Sequence, residues 1–234
     1  MILVTGASQG IGYECARALL ARTDTTVLIT GRCADRLAAA RARLPKTLRE
    51  RLLTRVCDQG CRRDVEELGT HLGSDSVGLE GAILNVGINP AFLEGPRRLH
   101  TVPAATIEDT VRTNCTHLLL LTTAVLDRLW ARRAGSVVWI GSQAPVVGLR
   151  GAAVYCATKS FLSGLARAAH NEYAARGIRV HLLHPALVRT PRTAATVDRF
   201  AATHGLAVHA ADEVAAAIVD SYLGLTNGAV EVAL

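Results

Sequence analysis

A strand that runs directly into a glycine-rich turn and out into a helix restricts a fold more tightly than any bulk property of the chain. Ile2, Leu3 and Val4 form such a strand; TGASQGIG follows from Thr5 to Gly12, and Tyr13 to Arg22 carries apolar residues at helical spacing. Gly6, Gly10 and Gly12 let the backbone turn sharply and approach a pyrophosphate, whose charge the helix amino terminus stabilises. The spacing is GxxxGxG rather than GxGxxG, so the strand and helix on either side carry the inference of a dinucleotide site.

The rest of the chain continues in alternation. Apolar runs at Thr26–Thr30, Leu52–Cys57, Gly81–Leu84, Val137–Ile140 and Arg179–Leu183 read as strands, with helices expected over Arg36–Leu44, Asp64–Leu72, Thr106–Trp130, Val154–Ala175 and Asp212–Leu223. A short strand at Val230–Ala233 ends the series, after a polar, alanine-rich segment from Arg192 to His209. Strands apolar throughout and separated by helices imply an α/β fold. We expect one doubly wound Rossmann-type domain over residues 1–234, with a mainly parallel sheet of about seven strands and helices on both faces.

Three strand ends bear on a ligand. Gly31 and Arg32 follow the second strand, where an acid would hold the ribose 2′-hydroxyl of NAD and an arginine suits the 2′-phosphate of NADP; NADP(H) is therefore expected over NAD(H). Asp35 is read as the cap of the next helix. Asp58, closing the third strand, either holds the adenine edge or begins a loop, and Asn85 and Gly87 after the fourth mark a second close approach to the cofactor.

The stretch Ser142–Lys159, SQAPVVGLRGAAVYCATK, places a serine after an apolar strand and a tyrosine and lysine four residues apart on one helix face. A phenol titrates near ~10, and a neighbouring ammonium lowers that by roughly 1 to 3 units, which makes tuned acid–base chemistry. The loose YxxxK pattern alone also suits a surface helix turn. Only Lys46 and Lys159 among the 26 lysines and arginines are lysines, which weighs towards a specific use for Lys159. Asn114 lies within a long helix, where it either faces solvent or serves a site.

Composition closes other routes. No apolar run reaches the ~18 residues of a membrane span, and a strand at residue 2 leaves no room for a secretory leader, so we expect a soluble cytoplasmic protein. Six scattered cysteines lack metal-site spacing, and no metal is expected. The net charge of +6 comes from dispersed arginine pairs without interleaved aromatics, which argues against a nucleic-acid partner and for a basic surface that attracts an anionic cofactor.

Taken together, TGASQGIG, LNVG at Leu84–Gly87 and HPALVRT at His184–Thr190 resemble the TGxxxGxG, NNAG and NPGxVxT motifs of the classical short-chain dehydrogenase/reductase family. Asn114, Ser142, Tyr155 and Lys159 fall in the order of that family's catalytic tetrad. The resemblance implies hydride transfer between nicotinamide and a carbonyl or alcohol, as in a ketoreductase of small metabolites. Tyr155 would exchange the proton, Ser142 hold the oxygen, Lys159 tune Tyr155 and hold the ribose, and Asn114 anchor a water. It adds Ser8, Gln9, Ile11, Pro185, Val188 and Thr190 to the cofactor contacts. The chain departs from the motifs at Leu84, Val86 and Ala186. A non-catalytic dinucleotide-binding relative and an epimerase or dehydratase of the same family are the competing readings.

Two further expectations follow. A homodimer or homotetramer should pair through the two long apolar helices, as relatives do. The substrate should lie over Arg192–His209, with Val197, Phe200 and Leu206 as its large apolar residues; Arg150, Arg192 and Arg199 either meet a substrate anion or are simply solvated.

Overall fold

Strands whose residues are apolar in both directions can only be buried on both faces, and the computed structural model, which describes residues 1–74, 78–204, 207–226 and 230–234, shows how. The chain begins with β1 (Ile2–Val4), α1 (Gly10–Arg22), β2 (Val27–Gly31), α2 (Ala34–Ala42), a single turn α3 (Lys46–Arg49), β3 (Leu52–Val56), α4 (Arg62–Gly73) and β4 (Gly81–Leu84). It continues with α5 (Pro90–Leu93), α6 (Ala104–Val111), α7 (His117–Arg132), β5 (Gly135–Ile140), α8 (Ala144–Val147), α9 (Ala153–Tyr173) and β6 (Ile178–His184). Last come β7 (Leu187–Arg189), α10 (Val197–His204), β8 (Val208–Ala210), α11 (Ala211–Leu223) and β9 (Glu231–Ala233).

Seven strands form one sheet in the order β3-β2-β1-β4-β5-β6-β9, and every neighbouring pair is parallel. Side chains alternate between two cores, as a period of two requires. Ile2 and Val4 face one side, with Leu19 and Leu20 of α1, Leu37 of α2 and Ile218 of α11; Leu3 faces the other, with Leu68 of α4, Leu121 of α7 and Leu162 of α9. Trp139, fully buried on β5, keeps its indole N–H satisfied by Thr122 Oγ1 at 3.1 Å. Among the described strands only the edge strand β3 leaves large apolar side chains, Leu53 and Val56, exposed. The strand order reverses between β1 and β4, and it is outside the carboxyl ends of strands at such a switch that open α/β sheets bind ligands.

Three local expectations need correction. The long helix expected over Thr106–Trp130 is α6 and α7 joined by a π-helical turn, Arg112–Thr116, that contains Asn114. The segment Arg192–His209 is not featureless: it holds α10, and β8 pairs in parallel with β7 as a second small sheet. Asp35 lies inside the first turn of α2 rather than at its cap, which is Cys33. Among the described residues no helix is long and apolar enough to cross a membrane, and no group of side chains could hold a metal.

Candidate active site

The glycine turn is braced from β4. Asn85 donates its main-chain N–H to Thr5 Oγ1 (2.9 Å) and its side-chain amide to the carbonyls of Thr5 (3.1 Å) and Gly6 (3.3 Å). Gly6 and Gly10 have φ of +62° and +60°, and a Cβ on Gly12 would lie 2.8 Å from both Asn85 Nδ2 and Gly6 O, so the turn needs residues without side chains there. No side chain caps α1 and no acid lies in its first turn; its amino-terminal N–H groups suit an anion. Ser8 and Gln9 belong to this turn, and Ser8 lies 3.5 Å from where Gly31 would carry a Cβ. Arg32, next in the chain, is exposed and makes no hydrogen bond or ion pair among the described residues. These features fit a dinucleotide with a 2′-phosphate. One carboxylate oxygen of Asp58 accepts from Gly60 N at 2.9 Å, as a residue that begins a loop does.

The tetrad residues arrive from three elements. Ser142 follows β5, Tyr155 and Lys159 share a face of α9, and Asn114 comes from the π turn. Asn114 is buried; it donates to Ile88 O (2.8 Å) and Thr158 Oγ1 (3.1 Å) and accepts from Ile88 N (2.8 Å). Of the two readings the sequence left open for Asn114, its burial excludes the solvent-facing one. Thr158 in turn donates to Tyr155 O at 2.8 Å, so β4's loop and α9 are tied through one amide. A π turn displaces carbonyls from their usual partners, and the carbonyl of Thr113 is taken by Gln59 Nε2 at 3.2 Å.

Lys159 sits 5.7 Å from the centre of the Tyr155 ring, but its ammonium donates to Ile140 O at 2.6 Å. Burial pushes Lys159 down to about 8, with the Arg192 charge adding to that and Cys115 opposing it. Burial likewise raises Tyr155; a hydrogen bond with the Ser142 side chain and the charge of Arg192 pull it down without prevailing. The expectation that Lys159 depresses the phenol is thus corrected. In the unliganded protein the cation acting on Tyr155 is Arg192, and Tyr155 holds its proton more firmly than a free phenol.

One cavity of about 440 Å³ unites most of the expected residues: Ile11, Asn85, Gly87, Ser142, Tyr155, Lys159, Pro185, Val188 and Thr190 line it. Gly6, Ser8, Gln9, Gly10, Gly12, Arg32 and Asp58 lie outside its lining, towards β2 and β3; Asn114 stands behind it, against Gly87. Of the expected substrate contacts, Arg192, Val197 and Phe200 line the cavity, Arg150 and Arg199 do not, and Leu206 lies outside the described residues.

His184 was read only as part of a motif, yet it backs the site. Its Nδ1 lies 3.1 Å from Ser142 O and its Nε2 3.1 Å from Glu231 Oε2. The main-chain N–H of Ser142 lies 3.4 Å from the same Nδ1, so the ring tautomer decides whether His184 donates to the Ser142 carbonyl or accepts from its N–H. Glu231 also accepts from Ser163 (2.8 Å) and Arg167 (2.7 Å); burial alone would raise it, but its hydrogen bonds with Ser163 and His184 and the charge of Arg167 hold it below the usual carboxylate range.

A doubly wound parallel sheet with a braced glycine turn and a serine, tyrosine and lysine on one cavity defines a dinucleotide-binding class of protein. A family model described as short chain dehydrogenase matches residues 1–200, and the chain belongs to that family. It is 30% identical over 195 residues to an uncharacterized oxidoreductase of Mycobacterium tuberculosis, covering 82% of this chain and 75% of that protein. To the 3-oxoacyl-(acyl-carrier-protein) reductase FabG of Salmonella typhimurium it is 28% identical over 202 residues, 84% of this chain and 76% of the relative. A short-chain dehydrogenase from Sphingobium yanoikuyae in complex with NADPH is similar in structure, with a TM-score of 0.80 at 25% identity over 99% of this chain and 86% of that one.

Proposed function

We propose that residues 1–234 act as one cofactor-binding and catalytic domain, an NADP(H)-dependent ketoreductase of small carbonyl compounds. The observation that carries this reading is Ser142, Tyr155 and Lys159 on the wall of a single cavity at the switch point of the sheet. The glycine turn, the open end of α1 and Arg32, exposed and without a partner among the described residues, support NADP(H), as do a relative's complex with NADPH and the FabG likeness.

Bound NADPH supplies the hydride to the carbonyl carbon. Tyr155, kept protonated by its burial, gives its phenolic proton to the oxygen as that oxygen gains charge. The Ser142 hydroxyl accepts from Ala144 N at 3.1 Å, and its O–H, directed at the Tyr155 phenol, turns to donate to the same substrate oxygen. Lys159 keeps a positive charge beside Tyr155 and faces Gly87, where the nicotinamide side of the cofactor would lie. Asn114 holds the Gly87–Ile88 loop at its distance from α9.

Val111, Leu119 and Phe161 are exposed on α6, α7 and α9, which supports a homo-oligomer paired through these helices. Six free cysteines support a reducing, cytoplasmic setting. The test is a carbonyl panel followed at the NADPH absorbance band. Substrate-dependent oxidation is expected; NADPH binding with no turnover of any carbonyl would overturn the reductase reading in favour of a binding protein.

A further inference from the structure

We propose that Arg192 is the substrate-anchoring residue of the cavity, and that the substrate is an oxo acid whose carboxylate it holds, or the matching hydroxy acid in the reverse direction. This rests on the reductase reading and names the substrate class for the same site.

Arg192 follows β7, is solvent-exposed and is one of the residues that line the cavity. Its Nη1 lies 3.5 Å from Gly87 O, and a Cβ on Gly87 would lie 3.2 Å from Lys159 Nζ, so Arg192 and Lys159 flank the same residue. Lys159 is spent on Ile140 O, whereas the long contact to Gly87 is the polar contact Arg192 makes. Its neighbour Arg189 shows the contrast: that guanidinium is clamped by both carboxylate oxygens of Asp198, and Arg192 has no carboxylate partner among the described residues.

No Asp or Glu side chain is among the residues that line the cavity. Phe92, Leu93, Val147, Leu149 and Phe200 make much of its wall, with the Phe92 and Phe200 rings 5.9 Å apart. An exposed guanidinium at the cavity, with no ion pair among the described residues, offers the planar fork that a carboxylate completes with two parallel hydrogen bonds. The apolar wall then takes the remainder of the acid. An anion there would also cancel the push that Arg192 exerts on both Tyr155 and Lys159, leaving the phenol a firmer holder of its proton until transfer. In the reaction the carboxylate is unchanged: hydride from NADPH and the Tyr155 proton convert C=O to CH–OH, and NADP⁺ leaves.

Thr190, two residues earlier, lies against Gly10 and the phosphate-facing turn, while Arg192 reaches towards Gly87. A cofactor phosphate is therefore the rival source of the anion, and the experiment separates the two. The α-, β- and γ-oxo hexanoates are compared with their methyl esters by kcat/KM at saturating NADPH, in wild type, Arg192→Gln and Arg192→Lys. NADPH affinity is titrated separately by fluorescence. NADP⁺-saturated protein is titrated calorimetrically with the product hydroxyhexanoates, a readout that needs no turnover.

Wild type is expected to prefer at least one acid over its ester, and Arg192→Gln to lower that preference by about 30-fold or more, the scale of a lost charge-assisted hydrogen bond. Arg192→Lys should keep part of it, with NADPH affinity little changed. Because the readout is a ratio, a loss common to acid and ester cancels. Equal loss on both, or weakened NADPH binding with the ratio intact, overturns the proposal. Reduction of neutral ketones alone would overturn it and leave the reductase reading standing. If no carbonyl compound is turned over, the reductase reading falls, and calorimetry decides the anion site: hydroxyhexanoate binding lost in Arg192→Gln supports it, and none in wild type overturns it.

Discussion

At the catalytic end of the cleft the side chains are tied to other elements of the fold, whereas at the adenine end Arg32 stands exposed with no partner among the described residues. Asn114 spans β4's loop and α9, Lys159 is fastened to β5 and Ser142 is backed by His184 from β6. The contrast follows from what each end must do. Proton transfer needs groups fixed to fractions of an ångström, while recognition of a phosphate needs charge within reach. Substitutions at the first end should therefore cost turnover or fold stability, and those at the second should cost affinity in a salt-dependent way.

The sharpest way to break that comparison is Tyr155→Phe. The ring keeps its packing and the acid is gone, so turnover should fall roughly 10²- to 10⁴-fold with NADPH affinity unchanged. Wild-type turnover in this variant would remove Tyr155 from the mechanism. Lys159 comes next, and its effect has a pH signature. Its folded value of about 8 lies below its ordinary 10.5, so between the two the unfolded chain binds a proton that the folded one has lost. Burying the charge is penalised in full below about 8, and the penalty is relieved as pH rises towards 10.5. Lys159→Met should thus gain stability relative to wild type at pH 7 by as much as about 3 kcal/mol. Urea midpoints should show that difference shrinking as pH approaches 10; a constant gap would mean that the ammonium is not buried as described.

Asn114→Ala tests the bracing itself. It strands the N–H and carbonyl of Ile88, and a buried polar group left unpaired costs about 1 to 3 kcal/mol. A drop of roughly 2 kcal/mol in unfolding free energy is expected, with kcat falling and NADPH affinity less affected; unchanged stability would show that the π turn stands without it.

How much of this was legible beforehand differs between the same regions. The glycine turn and the Ser142, Tyr155 and Lys159 constellation are contiguous or helical patterns, and local spacing carries them. Spacing told that Tyr155 and Lys159 share a face; it could not tell that the ammonium ends on Ile140 O, which depends on how α9 docks on β5. The brace from His184 to Glu231 joins residues 47 apart and exists only through the β6–β9 pairing. The β7–β8 pair escaped because three-residue strands separated by α10 show no periodicity. The π turn left a trace, the polar Thr113 and Asn114 in an apolar helix, but its purpose lay in contacts with Ile88 and Thr158.

The smallest effect belongs to the adenine end. Arg32→Ala should weaken NADPH by about tenfold and leave NADH nearly unchanged, because only NADPH carries the 2′-phosphate that an exposed guanidinium can pair with. An exposed ion pair is screened, so the wild-type advantage should shrink as salt rises from 0.05 to about 0.5 M, and the Arg32→Ala protein should lack that part of the dependence. Ser8, close to Gly31, offers a neutral hydrogen-bond donor at the same place, and Ser8→Ala should lose less and without the salt signature. Titrations of both cofactors at two salt concentrations read all of this. Equal affinities for NADPH and NADH in wild type, unaltered by Arg32→Ala, would show that the adenine end does not select by charge and would leave the cofactor preference without its structural basis.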